Sequence, residues 1–312
     1  MELLQLKMNE NKIVINSFKA WFLASRPKTL TGAAVPVMIG TTLAFNQTGI
    51  EQFAVIPAIL CFLFAFIMQI DANFINDYFD CQNGNDKSEN RLGPKRACTE
   101  GWITLPAMKK AIVMTTILAC VIGLPLIIYG GYGMLLVGLL CVLFCFLYTT
   151  KLSYFGLGEL LVLIFFGIIP VCLTYYVIMP QAERNISLEV ILASLACGFV
   201  IDTLLIVNNY RDRDNDRRDG KITLIVRVGE KWGPRLYLLS GLIGEILMLF
   251  VSINNSESAF APTLLLGYLF LHFFTYERML KIRKGKELNK VLGMTARNMF
   301  IFGILSTLAI LI

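Results

Sequence analysis

Long apolar runs recur along the whole chain, and polar residues gather in the intervals between them. A helix needs about 20 mostly apolar residues to cross the hydrocarbon of a bilayer. Nine segments come close, at roughly 29–45, 53–72, 106–129, 132–149, 160–179, 188–207, 236–253, 259–276 and 295–312. The pattern predicts an all-α polytopic membrane protein of about nine transmembrane helices. It forms one transmembrane domain over 1–312, with 1–19 as a cytoplasmic N-terminal segment.

The basic residues test that count, because short loops rich in Lys and Arg stay in the cytoplasm. With the N-terminus inside, every Lys and Arg except Arg184 falls on the inner side. A span added or lost in mid-chain would scramble this alternation. The two longest polar loops, Cys81 to Thr104 and Tyr210 to Pro234, are therefore both cytoplasmic. The first long apolar run begins only after Ser25-Arg26-Pro27-Lys28, which is not a cleavable-signal pattern, so the N-terminus is expected to be retained.

Composition agrees with this topology. Apolar residues make up 56% of the chain and charged ones 16%, a balance that excludes an ordinary soluble enzyme. The net charge of +6 follows from the inner loops and suits anionic lipid headgroups, so no nucleic-acid partner is implied. Cys141 and Cys145 share a helix face, but no His or carboxylate in that span completes a zinc set. Cys81 and Cys98 are expected to be reduced cytoplasmic thiols.

Two of the membrane-length runs end in clusters of Asp and Asn. The first reads Asn73-Phe-Ile-Asn76-Asp77-Tyr78-Phe79-Asp80 and continues through Gly84 to Asp86. The second reads Asn208-Asn209-Tyr210-Arg211-Asp212-Arg213-Asp214-Asn215-Asp216. Both contain N-x-x-x-D, at Asn76/Asp80 and Asn208/Asp212, and four spans separate them, so the repeat is parallel. Helical spacings of three, four and seven place Asn73, Asn76, Asp77 and Asp80 on one face, and Asn208, Asp212 and Asp216 on another. Polar helix ends can be no more than capped and solvated. Two matched stripes at corresponding places in a repeat argue instead for a site.

The stripes offer hard oxygen ligands with no adjacent His or Cys, which suits Mg2+ completed by phosphate oxygens. Carboxylates this dense repel one another near a membrane unless cations neutralise them. The interleaved Arg211, Arg213, Arg217, Arg218, Lys221 and Arg227 complement phosphate charge. Asp202 extends the second stripe inward. Glu159 opens a cytoplasmic helix start, where it either favours the helix dipole or serves a site. Tyr148 and Tyr154 flank Lys151 and suit either the interface or a carbocation. Glu245, near mid-span, is expected to be neutral and bonded to a neighbouring helix; His272 has no companion ligands.

Asn76-Asp77-x-x-Asp80, Asn208-x-x-x-Asp212-x-x-x-Asp216 and the nine spans resemble the UbiA-type intramembrane prenyltransferases. Further strings are similar to the 1,4-dihydroxy-2-naphthoate polyprenyltransferase branch: Ser25-Arg26-Pro27-Lys28-Thr29-Leu30, Gly84-x-Asp86, Gly156-Leu157-Gly158-Glu159-Leu160, Gly220-Lys221 and Arg227-Val228-Gly229. The resemblance implies a bacterial inner-membrane enzyme that moves a polyprenyl chain from its diphosphate to dihydroxynaphthoate, with decarboxylation, its site facing the cytoplasm. It implies Mg2+ held by Asn73, Asn76, Asp77, Asp80, Asp86, Asp212 and Asp216, with Asp77, Asp80, Asp212 and Asp216 catalytic. Arg26, Lys151, Lys221, Arg227 and Glu159 become the substrate-binding candidates. Where the wider superfamily often has another Asp in the first motif, this chain has Gly84, with Asp86 two residues on. Alternatives are the same fold with another acceptor, such as 4-hydroxybenzoate, or a divalent-cation transporter.

Overall fold

Helix forms at every apolar run. The computed structural model describes residues 13–84, 91–150, 152, 156–256 and 258–312. In chain order the long helices are α1 (Pro27–Gln52), α2 (Val55–Gln82), α3 (Leu105–Gly123), α4 (Gly133–Thr150) and α5 (Gly158–Ile178). They continue with α6 (Leu188–Arg218), α7 (Gly233–Asn255), α8 (Leu266–Ile282) and α9 (Leu288–Leu311). No strand occurs among the described residues. Seven of these helices are long and apolar enough to cross a membrane; α4, with its apolar stretch Gly133–Tyr148, and α8, with 17 residues, are shorter.

Helix starts follow local chemistry. Pro27 stands at the first turn of α1, where its missing N–H costs nothing. Ser187 caps α6, its Oγ accepting from the Val190 N–H at 3.4 Å. α2 and α6 have 28 and 31 residues, which at 1.5 Å per residue makes them about 42 and 46 Å long. The hydrocarbon is only about 30 Å thick. The excess, about 12 and 16 Å, is enough for the Asp/Asn stripes to stay in helical register past a membrane-length run.

α6 is the hub, packing along α7 and also against α5, α9 and α1. Of its most apolar window 67% is buried, against 22% for α2. Close approach depends on small residues, as expected between membrane helices. A Cβ on Gly167 of α5 would lie 2.6 Å from the Ser194 carbonyl oxygen and 2.9 Å from the Gly198 Cα. One on Gly244 of α7 would lie 2.8 Å from the Ala196 oxygen. α5 widens into a π turn over Leu163–Ile168 beside this crossing.

α7, α8 and α9 enclose a polar layer. His272 stacks between Tyr237 and Tyr268, with ring centroids 4.6 and 5.5 Å away. Asn298 Nδ2 donates to the Leu271 oxygen and to Thr275 Oγ1. Glu245 is buried nearby, and neither of its oxygens has a hydrogen-bond partner. This corrects the expectation of a bond to a neighbouring helix: Tyr268 Oη on α8 and Ser306 Oγ on α9 are likewise buried without a partner.

Candidate active site at the ends of α2 and α6

The first stripe is a face, as its spacing predicts, but its members do different things. Asp77 is 1% exposed. Its Oδ2 accepts from the Ala97 N–H at 2.9 Å and its Oδ1 from the Cys98 N–H at 3.0 Å. Asn73 Nδ2 donates to the Ser25 oxygen at 2.9 Å and to Thr29 Oγ1 at 3.0 Å. Asp77 thus pins the loop that follows α2, and Asn73 pins the turn that precedes α1. One turn further out, Asp80 pairs with Arg96.

These contacts give Asn73 and Asp77, both among the metal candidates, a structural task as well. Both oxygens of Asp77 serve buried backbone amides, and the Asn73 Nδ2 ties Ser25 and Thr29 on either side of Arg26. Arg26 needs that support: its φ of 50° is left-handed, which costs a non-glycine residue about 1 kcal/mol or more. Its Nη2 is shielded and unpaired. Burial first, then neighbouring Arg96, pulls its pKa down to about 9, while Asp77 and Asp80 push the other way. It stays charged at neutral pH, in surroundings that favour an anion.

The second stripe is organised by Arg211, a buried guanidinium at 3% exposure. It grips Asp212 with two bonds, from Nε at 2.9 Å and Nη2 at 2.5 Å. Nη2 also donates to Asn208 Oδ1 at 2.7 Å, and Nη1 donates to Asn289 Oδ1 at 2.9 Å. Asp216 stands 3.8 Å from the Lys221 amine, and its other oxygen is shielded without a partner. Arg213, one of the interleaved cations, is instead structural: it lies over the Tyr210 ring, bonds the Tyr210 and Arg283 carbonyl oxygens and meets Glu230 at 3.4 Å.

The loop over residues 91–98 connects the two stripes. At one end Asp77 and Asp80 hold Arg96, Ala97 and Cys98. At the other, Asn289 Nδ2 donates to the Leu92 oxygen at 2.7 Å. Gly93 passes so close to Arg211 that a Cβ there would be 2.7 Å from Nη2. Sequence reasoning missed Arg96 and Asn289; neither sits in a periodic pattern, and only the chain's path brings them in. It also passed over Asp71, buried in α2 and fully bonded by Thr115 and Thr116.

Beside Asp216, Lys221, Thr223, Tyr148, Glu159 and Asn209 line a small cavity closed by Gly156 and Gly158. Gly156 has φ +73° and would drive a Cβ to 2.7 Å from the Ile222 oxygen, so the start of α5 and the loop after α6 fit only with glycine there. Arg227 is exposed on the same side, its Nε 3.5 Å from that Cβ position. Lys151 and Asp86 lie outside the described residues, as does Tyr154. Among the described residues no three His, Cys, Asp or Glu side chains converge as a ready metal set. Asp80, Asp212 and Asp216 face Arg96, Arg211 and Lys221 instead.

The sequence pattern of the UbiA prenyltransferase family matches residues 33–307. The chain belongs to that family. Among its curated relatives, the 1,4-dihydroxy-2-naphthoate octaprenyltransferase of Escherichia coli is 36% identical over 82% of each chain. The enzyme of the same name from Haemophilus influenzae is 31% identical over 74% of this chain and 75% of its own. The fold of this UbiA-family protein is shared with two solved structures. A homologue from Aeropyrum pernix, in its apo form, has a TM-score of 0.66 at 16% identity, covering 88% of this chain and 96% of that one. A homologue from Archaeoglobus fulgidus, bound to GPP and Mg2+, scores 0.62 at 14% identity, covering 94% and 100%.

Proposed function

We propose that this UbiA-family protein transfers a polyprenyl group from polyprenyl diphosphate to 1,4-dihydroxy-2-naphthoate, releasing carbon dioxide and yielding the demethylmenaquinol of menaquinone biosynthesis. The observation that carries the reading is the doubled carboxylate stripe in which Asp80, Asp212 and Asp216 each face a protein cation. The same carboxylates would hold a divalent metal, and the cations paired with them would be available to phosphate. The relatives named above support the choice of acceptor.

The donor set fits magnesium, being oxygen-only with one shielded Asp216 oxygen still unpartnered. Asn76, Asp80, Asn208, Asp212 and Asp216 would hold it, while Asp77 and Asn73 keep the surrounding backbone in place. Metal bound there supplies charge neutralisation to the departing diphosphate. Arg96, Arg211 and Lys221, with Arg26 behind them, stabilise the same developing charge through preorganised donors. As the allylic carbon–oxygen bond breaks, its electron pair leaves with the diphosphate. The electron-rich ring then forms the new carbon–carbon bond, and its carboxyl departs as carbon dioxide. We place the site on the cytoplasmic face of a bacterial inner membrane, supported by the one-sided distribution of Lys and Arg.

The test is turnover by purified protein given polyprenyl diphosphate, Mg2+ and either dihydroxynaphthoate or 4-hydroxybenzoate, with product masses recorded. Consumption of dihydroxynaphthoate with loss of carbon dioxide is expected. Turnover of 4-hydroxybenzoate alone would overturn the acceptor assignment.

A further inference from the structure

The cavity beside Asp216 is built unlike the metal-binding stripes. Glu159 is 9% exposed and lines it; Oε1 accepts from Asn209 Nδ2 at 3.2 Å, whereas Oε2 is shielded and has no partner. Asp202, two turns down α6 from Asn209, is 5% exposed and also keeps one oxygen, Oδ1, without a partner. Glu159, Asp202 and the Tyr148 hydroxyl lie close to one another. Burying acceptors this way is costly unless a donor arrives. The start of α5 and the loop after α6 hold the walls in place through Gly156 and the Thr223 cap on Val226.

The group that satisfies Glu159 Oε2 is a hydrogen-bond donor, such as a hydroxyl, while Lys221 on the cavity rim can face a carboxylate. A prenyl chain would leave that oxygen unpaired. The cavity is small, about 10 Å3, room for one water-sized group such as a hydroxyl at the edge of a ring that stays outside it. Tyr148 supplies an aromatic wall, and Lys221 stands between this cavity and Asp216.

We propose that this cavity is the hydroxyl end of the acceptor site, and that Glu159 Oε2 accepts a hydrogen bond from a ring hydroxyl of the aromatic acid. Asn209 orients that carboxylate, and the nearby Asp216 links ring placement to the diphosphate site. Glu159 therefore determines which aromatic acids are accepted: those with a hydroxyl beside the carboxyl are held, and those without one are rejected. This rests on the prenyl-transfer reading, which it extends to a recognition group.

The experiment compares two competitive inhibitors, 1-hydroxy-2-naphthoate and 2-naphthoate, on the wild type, Glu159→Gln and Glu159→Asp, at saturating polyprenyl diphosphate and Mg2+. A bond to a charged acceptor is worth about tenfold or more. The wild type is expected to bind the hydroxylated acid at least about tenfold more tightly, Glu159→Gln to lose most of that preference, and Glu159→Asp to regain part of it. The KM for polyprenyl diphosphate should stay within about twofold in both variants. Unequal binding that survives in Glu159→Gln, or equal binding already in the wild type, overturns the inference while leaving dihydroxynaphthoate turnover intact. Should the wild type consume a different hydroxyaryl acid, the acceptor assignment falls, and the same comparison on that acid still decides the role of Glu159. Isothermal binding of the two inhibitors without metal or diphosphate gives a readout independent of turnover.

Discussion

Replacing Asp77 with Ala separates a structural carboxylate from a catalytic one. The side chain is 1% exposed and accepts two backbone N–H bonds, at 2.9 and 3.0 Å, from residues that are themselves buried. Asp77→Ala leaves both amides without partners, and each orphaned donor costs about 1–3 kcal/mol. The sum, about 2–6 kcal/mol, is large beside the marginal stability of most proteins. Asp80 is different: its side chain is 22% exposed and its one described partner is Arg96, a pairing worth roughly 1 kcal/mol or less. The assay is thermal unfolding in detergent, followed by tryptophan fluorescence. Trp21 and Trp102 pack in the cluster that contains Ala97 and Cys98, so they report on this loop directly. Asp77→Ala is expected to melt several degrees below wild type and Asp80→Ala within a degree or two, with Asp80→Ala nearly inactive. If Asp77→Ala melted like wild type and instead required far more Mg2+ for half-activation, the assignment of Asp77 to the loop would be wrong.

Other variants probe other links in the argument. Asp212→Ala should abolish turnover and leave Arg211 buried without its main counter-charge, a loss of about 3 kcal/mol or more that denaturant titration can measure. Asn289→Ala removes the bonds to Arg211 and Leu92; a stability loss of about 1–3 kcal/mol with a raised KM for polyprenyl diphosphate is expected, and unchanged values of both would dismiss the clasp. Gly241→Ala would place a methyl 2.2 Å from the His272 ring, so it should cost at least about 1–3 kcal/mol through overpacking, seen as a lower melting temperature. Glu245→Met, which deletes two unpartnered buried oxygens, should be neutral or stabilising in the same melt.

The helices could be read from the chain because apolar runs of membrane length are a local regularity. Each predicted span coincides with helix, and the Asp/Asn stripes do project from helix ends, as spacings of three and four require. What spacing does not carry is the identity of the partner. Asn73, Asp77 and Asp80 share one face, yet they meet a turn, a pair of amides and an arginine respectively, all brought by segments distant in sequence. Arg96 and Asn289 were invisible for the same reason. The Glu159 cavity was half legible: the residue stood out in its Gly-rich string, but the unpaired oxygens of Glu159 and Asp202 emerge only once α5 and α6 are packed.

The loop over residues 91–98 makes the two halves of the repeat a single mechanical linkage. One of its ends is fastened to the first stripe and the other to Arg211, with Gly93 leaving no slack at the contact. A ligand that draws Arg96 away from Asp80 therefore pulls on the same strap that seats Arg211 over Asp212. A change at one stripe thus has a direct backbone route to the other, through a loop only eight residues long.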